Sequence, residues 1–169
     1  MKVELRLLTV GDADVIQSAF EEQGWNKPAE LYMRYADEQQ RGTRVTLIAE
    51  ADGKFAGYGS IVWASDYAAF REAGVPEIKD LNVLVKYRRQ GIASRLMDEA
   101  EIIIAERSSV AGIGVGLFSD YGNAQILYVK RGYVPDGRGI YVEPGYLKYG
   151  DTVTVDDDLV LYLTKRLNG

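Results

Sequence analysis

The sequence contains no histidine and no cysteine among its 169 residues. These absences exclude Ser-His-Asp and Cys-His nucleophilic catalysis, structural or histidine-liganded zinc, disulfide bonds and thiol redox chemistry. Catalysis by this chain would therefore depend on carboxylates, tyrosines, hydroxyls and backbone amides. Tyrosine is plentiful, with 12 residues, so phenols that can donate a proton are available.

Positive charge is the minority sign, because 20 Lys and Arg stand against 25 Asp and Glu and give a net charge of −5. This balance argues against non-specific binding to nucleic acid. No run approaches the ~18 consecutive apolar residues of a membrane span. Residues 1–6 alternate like a strand and lack the apolar core of a signal peptide. We therefore expect a cytoplasmic protein with no nucleic-acid or membrane partner.

Length and hydrophobic patterning predict one α+β domain over residues 1–169 with a mixed sheet. An Asp52-Gly53 pair between two β-runs predicts a tight hairpin. Residues 65–76 are predicted to form a loop or a short helix, and residues 136–157 an irregular connection. The predicted strands are 2–8, 44–51, 54–64, 78–85, 110–118, 133–134 and 159–167, and the predicted helices are 12–22, 28–40, 89–107 and 121–131.

The segment 81–97 carries the strongest functional signal, because a strand runs through a tight turn into a helix that begins near Gly91. Such a helix start offers unpaired N–H groups and the positive end of the helix dipole, which suit a phosphate. Gly91 lacks a Cβ and lets an anion approach the backbone. The alternative is a solvated basic helix start, which the dipole disfavours by a few tenths of a kcal/mol. Residues 86–97 contain no acid and four basic residues: Lys86, Arg88, Arg89 and Arg95.

Two motifs in this chain resemble those of the GCN5-related N-acetyltransferase (GNAT) superfamily. Arg88-x-x-Gly91-x-Ala93 resembles the Gln/Arg-x-x-Gly-x-Gly/Ala signature, and residues 123–133 resemble the Asn…Ala…Leu-Tyr-x-x-x-Gly-Phe segment. The order of predicted elements is also similar over nearly the whole chain.

The resemblance implies a three-layer fold with a mostly antiparallel sheet in which two parallel strands, 78–85 and 110–118, splay apart around an acyl-CoA. Backbone groups of Leu81, Asn82 and Val83 would pair with the pantetheine arm, and the Val83 N–H would serve as an oxyanion donor. Amides of residues 89–94 would hold the pyrophosphate. The implied co-substrate is acetyl-CoA, without a metal. The positions implied to contact it are Leu81, Asn82, Val83, Val85, Arg88, Arg89, Gln90, Gly91, Ile92, Ala93, Ser94, Asn123 and Tyr128.

Proton transfer would fall to carboxylates and a tyrosine. Removing a proton from an alkyl amine of pKa ~10.4 at pH 7 costs about 4 kcal/mol, so a carboxylate acting through water is expected as general base. Asp80 is the first candidate and Glu77 the second, although either could be a capping or solvent-facing residue of a strand end. Tyr128 matches the family position that protonates the leaving sulfur, and its alternative role is a half-buried helix tyrosine.

The expected reaction is acetyl transfer from acetyl-CoA to a primary amine of a small molecule or peptide. The alternative is a CoA-binding sensor of the same fold without turnover. A homodimer is expected from the resemblance alone. The run 156–158 is interpreted as a solvated edge or as strand-start charge that discourages pairing between sheets, and the glycines at 112, 114 and 116 as structural, for tight packing or for a bulge. Residues that could bind a cationic acceptor, or could form an ordinary polar surface, are Trp25, Tyr32, Tyr35, Tyr141, Glu143, Tyr146, Tyr149 and Asp151.

Overall fold

A computed structural model describes residues 1–167, and within them eight strands form one mixed sheet in the order β1-β2-β3-β4-β5-β8-β6-β7. Every neighbouring pair is antiparallel except β4 and β5. The strands are β1 (Val3–Leu7), β2 (Arg44–Ala51), β3 (Lys54–Val62), β4 (Glu77–Val83), β5 (Val110–Gly116), β6 (Val134–Val142), β7 (Gly145–Tyr146) and β8 (Val160–Arg166). The α-helices are α1 (Ala13–Glu22), α2 (Ala29–Gln40), α3 (Ala68–Ala73), α4 (Ile92–Ala105) and α5 (Gly122–Lys130).

Helices cover both faces of the sheet, and the predicted α+β fold class is confirmed. On one face, Ile92, Leu96 and Ile104 of α4 pack into a buried cluster with the sheet. On the other face, a second cluster contains Ile16 of α1 and Tyr32 of α2. These side chains recur at helical spacing, so each helix buries one apolar stripe and exposes the rest. No helix in the described part of the chain is long and apolar enough to cross a membrane.

Local turn chemistry follows the sequence closely at two points. Asp52 and Gly53 both have positive φ, 50° and 80°, which is the backbone of a type I′ hairpin turn. Within 65–76 the short-helix alternative is the observed one, since α3 ends at Gly74 with φ 68° in the left-handed region.

The predicted bounds were wrong around β6, α4 and the end of β5. β6 continues to Val142 and forms a hairpin with β7, although residues 136–157 were predicted to be irregular. Positive φ at Gly137 and Gly139 interrupts the pairing with β8, which then resumes at Ile140. The turn-like composition of this interruption hides the strand. Helix α4 begins at Ile92 rather than residue 89, because Arg89 and Gly91 have positive φ and so cannot be part of a right-handed helix.

The glycines of β5 lie against aromatic rings, so tight packing, rather than a bulge, is their observed structural role. A Cβ on Gly112 would lie 2.3 Å from the nearest atom of the Phe70 ring. The corresponding distances are 2.9 Å from Gly114 to Tyr162 and 2.4 Å from Gly116 to Tyr121. Since alternate residues of a strand face the same side, the three glycines allow three rings to pack directly on the β5 backbone. We refer to Phe70, Tyr162 and Tyr121 as the ring column.

Candidate active site

A wedge opens in the middle of the sheet because the parallel strands β4 and β5 pair at only two positions. Glu77 is opposite Gly112 and Ile78 is opposite Ile113. Beyond Ile78, β4 remains paired with β3, while β5 remains paired with β8 along its length. Beyond this point, one backbone edge of β4 and one backbone edge of β5 therefore face the wedge, and neither edge is paired with the opposite strand.

The backbone of Val83 lies on the wedge side of β4. The N–H of the next residue, Leu84, donates to the backbone oxygen of Ala56 in β3 at 2.8 Å. Because successive residues of a strand point their N–H and C=O groups to opposite sides, the Val83 N–H and C=O point away from β3. The Val83 oxygen accepts a hydrogen bond from Arg88 Nε at 3.1 Å.

A β-bulge at Asp80 changes which face of the sheet the side chains of β4 occupy. The register with β3 shifts between Tyr58 and Ser60, and Asp80 has a φ of 57°. As a result, Leu81 and Val83 pack against the α4 side of the sheet. The Asp80 side chain lies on the opposite face, where Oδ2 accepts hydrogen bonds from Tyr35 Oη at 3.1 Å and Arg44 Nη1 at 3.2 Å. The one extra residue of the bulge therefore places the Asp80 carboxylate on the face of the sheet opposite to Leu81 and Val83.

Glu77 is the more deeply buried of the two candidate bases, with 5% of its surface exposed. Its Oε1 accepts a hydrogen bond from Ser65 Oγ at 2.5 Å. Burial raises the pKa of the Glu77 carboxyl above its ordinary value of 4.5, and the Ser65 hydrogen bond opposes this shift. A carboxyl with a raised pKa is better suited than a solvated one to accept a proton near neutral pH.

Residues 85–95, here called the basic turn, lead from β4 into α4. Gly91 is the N-terminal cap of α4, with φ 80°, and no side chain caps this helix. Arg95 N–H donates to Gly91 O at 3.0 Å as the first helical bond. The amides of Ile92, Ala93 and Ser94 precede that bond and have no partner within the helix. No acidic residue lies in the first turn, so the start of α4 is a positive site open to an anion.

The basic side chains of this turn point in different directions. Arg88 lies 5.6 Å above the Trp25 ring in addition to its bond with Val83. Arg95 Nη1 donates to Val3 O at 2.7 Å, on the edge strand β1. Lys86 Nζ lies 4.0 Å from a carboxylate oxygen of α1. The Val85 N–H is already used, since it donates to the side chain of Gln23, the residue that follows α1, at 3.0 Å. Arg89 and Gln90 are exposed.

Tyr128 lies on α5, which follows β5, and only 7% of its surface is exposed. It belongs to the same buried cluster as Ile92, and Leu81 and Val83 pack against that cluster. Burial alone raises the pKa of Tyr128 to about 12. Asn123, one and a half turns earlier, is exposed. The structure therefore brings Tyr128, but not the side chain of Asn123, into the core behind the wedge.

The aromatic residues considered for acceptor binding separate into different places. Tyr32 and Tyr35 are buried beneath α2. Trp25 stacks on Phe20 at a centroid distance of 5.9 Å. Tyr149 is fully exposed.

Tyr141 and Tyr146 instead meet around Tyr67, a residue that sequence reasoning missed. Tyr67 Oη donates to Asp136 Oδ2 at 2.6 Å and lies 2.7 Å from Tyr146 Oη. Its ring stacks on Tyr162 at 3.7 Å. No local pattern marks this group, because its members come from three separate segments: the residue before α3, the β6–β7 hairpin and β8.

A cavity of about 320 Å³ lies beside this group, and we call it the acid–aromatic pocket. Two residues of the run 156–158, interpreted from sequence as a solvated edge, line it. The lining residues are Asp66, Tyr67, Tyr141, Val142, Glu143, Asp157, Asp158, Val160 and Tyr162.

Comparison with known proteins gives a family and a fold. The sequence model of the Acetyltransferase (GNAT) family matches residues 13–133. A search of the curated proteins finds no match to this chain. Among solved structures, an N-acetyltransferase from Staphylococcus aureus Mu50 is similar, with a TM-score of 0.72 and 16% identity, over 99% of this chain and 100% of that chain.

Two further solved structures have the same fold. The ribosomal-protein-alanine N-acetyltransferase from Brucella melitensis has a TM-score of 0.69 and 19% identity, over 96% of this chain and 99% of that chain. Salmonella typhimurium yncA, solved with its cofactor acetyl-CoA, has a TM-score of 0.66 and 17% identity, over 100% of this chain and 96% of that chain. Since the family match spans more than two thirds of the sequence and includes both β4 and the start of α4, the chain belongs to the GNAT family of acetyltransferases.

Proposed function

We propose that this protein is an enzyme that transfers an acetyl group from acetyl-CoA to a primary amine of a small molecule or peptide, by direct attack of the amine on the thioester. The observation that carries the proposal is the wedge between β4 and β5, which opens beside an uncapped helix start without acids. When bound, acetyl-CoA supplies the activated acetyl group and the leaving sulfur. The chain then needs no nucleophile of its own, which fits its lack of histidine and cysteine.

The backbone donors on this chain fit a bound acyl-CoA. The amides at the start of α4 lack helical partners, and an added Cβ on Gly91 would meet no atom within 4 Å, so the approach to them is open. The Val83 N–H is the proposed donor to the thioester oxygen, where negative charge develops. The proposed binding residues are those implied by the family resemblance: Leu81, Asn82, Val83, Val85, Arg88, Arg89, Gln90, Gly91, Ile92, Ala93, Ser94, Asn123 and Tyr128.

A carboxylate acting through water is the proposed acceptor of the amine proton. Asp80 remains the first candidate, and both of its hydrogen bonds to Tyr35 and Arg44 are made by Oδ2, so Oδ1 is the oxygen proposed to accept. Glu77 is the second candidate, supported by its burial and raised pKa. Asp80→Asn and Glu77→Gln separate the two, because loss of the true base removes the acidic limb of the kcat/KM pH profile.

Tyr128 is proposed to hydrogen-bond the sulfur as the carbon–sulfur bond breaks. Attack joins the amine nitrogen to the acetyl carbon, and the electron pair of the broken bond remains on sulfur. Full proton transfer from a phenol of pKa about 12 to a thiolate of pKa ~8.5 is uphill by about 5 kcal/mol. A short hydrogen bond in a site with little water stabilises the thiolate without that cost.

A CoA-binding sensor of the same fold is the second candidate, because the wedge and the helix start favour binding with or without turnover. Calorimetric titration with acetyl-CoA, followed by a CoA-release assay over a panel of amines, distinguishes the two. We expect both binding and amine-dependent release of CoA. Tight binding with no release above the hydrolysis rate for any amine would support the sensor.

A further inference from the structure

The acid–aromatic pocket borders the point where the wedge opens. Ile113 is the last residue of β5 that pairs with β4, and Gly114 is the next residue. The ring of Tyr162, which lines the pocket, lies on Gly114. Lys79, on the β4 side of the opening, reaches Asp66 of the pocket at 3.6 Å. The pocket is therefore adjacent to the segment of β4 that carries Glu77 and Asp80.

Most of the negative charge in the pocket has no cationic partner. Of its four carboxylates, Asp66 alone is paired with a cation within residues 1–167, through Lys79. The Glu143 carboxylate accepts a hydrogen bond from the Tyr141 hydroxyl, and the Asp157 carboxylate accepts one from the Tyr121 hydroxyl at 2.8 Å. These donors are neutral, so the charge on the carboxylates remains.

Two arginines of the neighbouring segments are engaged by other groups. Arg71 Nη1 donates to the backbone oxygens of Ser65 and Asp66, and Arg138 Nη1 lies 3.5 Å from Asp136, behind Tyr67. Neither arginine lines the cavity. Since like charges held in a concave site repel one another, the pocket favours a cationic ligand.

The buried carboxylate of Glu77 gives an independent indication of a ligand. Ser65 satisfies Oε1, whereas Oε2 has no hydrogen-bond partner within the described chain. Oε2 is nevertheless not enclosed, since the one sealed, unpartnered side-chain atom in residues 1–167 is Gln23 Nε2. The Ser65 hydroxyl that donates to Glu77 also accepts a hydrogen bond from the N–H of Tyr67 at 3.0 Å, and Tyr67 lines the pocket, so Glu77 lies directly behind the lining. An open carboxylate oxygen on a residue that is 95% buried is arranged for a donor that enters from outside.

We propose that the acceptor is a small linear diamine and that the acid–aromatic pocket holds the ammonium group that is not acetylated. This inference rests on the proposed acetyltransferase function and adds the substrate class. The Tyr141 ring offers an aromatic surface to the cation, and Glu143 and Asp157 supply opposite charge. The volume of about 320 Å³ is at the small end of ligand sites. The second amine, uncharged at the moment of attack, then reaches the thioester beside β4.

The test compares 1,4-diaminobutane with butylamine, 4-aminobutanol and a lysine-containing peptide as acceptors. We expect kcat/KM for the diamine to exceed that of butylamine by about 10-fold or more, and the excess to shrink as salt is added. In Glu143→Gln combined with Asp157→Asn, the ratio of diamine to butylamine kcat/KM falls by about 5-fold or more. Glu72→Gln, an exposed acid of α3 outside the pocket lining, makes a matched charge change and leaves the ratio as in the wild type.

Calorimetric binding of 1,4-diaminobutane gives a readout that does not depend on turnover. Binding that the double variant weakens supports the pocket even if no acceptor is acetylated, in which case the proposed function fails and the site remains. Equal kcat/KM for diamine and butylamine, with acetyl-CoA turnover intact, would overturn the inference alone. A higher kcat/KM for the lysine peptide than for the diamine would also overturn it, since the acceptor would then be a peptide.

Discussion

The basic turn and the acid–aromatic pocket lie on either side of one wedge and carry opposite charge. The basic turn presents unpaired amides and no acid in the first turn of α4. Within residues 1–167, the pocket is lined by four carboxylates and by no basic residue. Within one chain of net charge −5, the two regions therefore favour ligands of opposite sign.

The two regions also differ in how they are encoded. The basic turn is a continuous segment of eleven residues, from 85 to 95, in which glycine and the helix start are adjacent. The pocket draws its lining from the segment before α3, the β6–β7 hairpin and the approach to β8. A local motif identifies the first region, whereas only the three-dimensional fold assembles the second. Substitutions in and around the two regions test this contrast.

Gly91→Glu is expected to weaken acetyl-CoA binding by about 100-fold or more, because it puts a side chain and a negative charge at an anion site. The fold should survive, since an added Cβ there meets no atom of the described chain within 4 Å and a side chain at φ 80° costs about 1–2 kcal/mol. Calorimetry measures the affinity. Gly42→Glu is the matched control, because Gly42 also has positive φ and open surroundings. Similar affinities for the Gly91 and Gly42 variants would remove the basic turn from the binding site.

Gly112→Ala is expected to lower the free energy of unfolding by about 2 kcal/mol, because the new methyl group would overlap the Phe70 ring. The two glycines thus have opposite roles: the space beside the Gly91 Cα stays open, whereas the space beside the Gly112 Cα is filled by the Phe70 ring. Denaturant unfolding measures the change. In Gly112→Ala/Phe70→Leu part of the loss should be recovered, and Gly122→Ala, which has open space, should be close to neutral. A stable single variant would contradict the tight packing on β5.

Tyr128→Phe is expected to lower kcat by about tenfold, which corresponds to about 1.4 kcal/mol in the barrier, while KM for acetyl-CoA changes little. The hydroxyl is proposed to act on the leaving sulfur rather than on the bound ground state. Tyr133→Phe is the control, since Tyr133 belongs to the same buried cluster and its hydroxyl donates to Glu101 at 2.9 Å. If both variants lose kcat equally, Tyr128 has a structural role alone.

Glu77→Gln gives the smallest effect, a pH-dependent change in stability. Because burial raises the pKa of native Glu77, the folded state binds its proton more tightly than the unfolded chain does. That contribution is fully present below pH 4.5 and is lost as the pH rises through the native pKa. The unfolding free energy of Glu77→Gln relative to the wild type should therefore increase from pH 4.5 upwards. A difference that does not vary with pH would show that Glu77 has an ordinary pKa.

Much of the fold could be predicted because its elements follow local rules. Amphipathic periodicity located α1 and most of α4, and the Asp52-Gly53 turn joined β2 to β3. The Arg88-x-x-Gly91-x-Ala93 motif located the basic turn for the same reason. The start of α4 was predicted too early, since left-handed backbone at Arg89 and Gly91 delays the helix and periodicity does not register φ.

The rest depended on contacts between distant residues. Tyr67 and Tyr162 are 95 positions apart, and nothing near either one indicates that their rings stack at 3.7 Å. Glycines in the middle of β6 concealed a strand that pairs on both sides of the interruption. Asp157 and Asp158 have the composition of a solvated edge, and their place in the pocket follows from the path of the chain before β8.

The bulge at Asp80 makes the length of β4 as important as its composition. Ile78 and Leu81 share the α4 face although three positions separate them, an odd spacing that an unbroken strand would place on opposite faces. Deleting one residue between them would restore the regular alternation of the strand. Either Ile78 or Leu81, with the strand residues on its side of the deletion, would then turn to the opposite face and leave the core. Loops of this protein can gain or lose residues at modest cost, whereas in β4 a single-codon deletion would exchange the side of the strand that faces α4 with the side that faces α2.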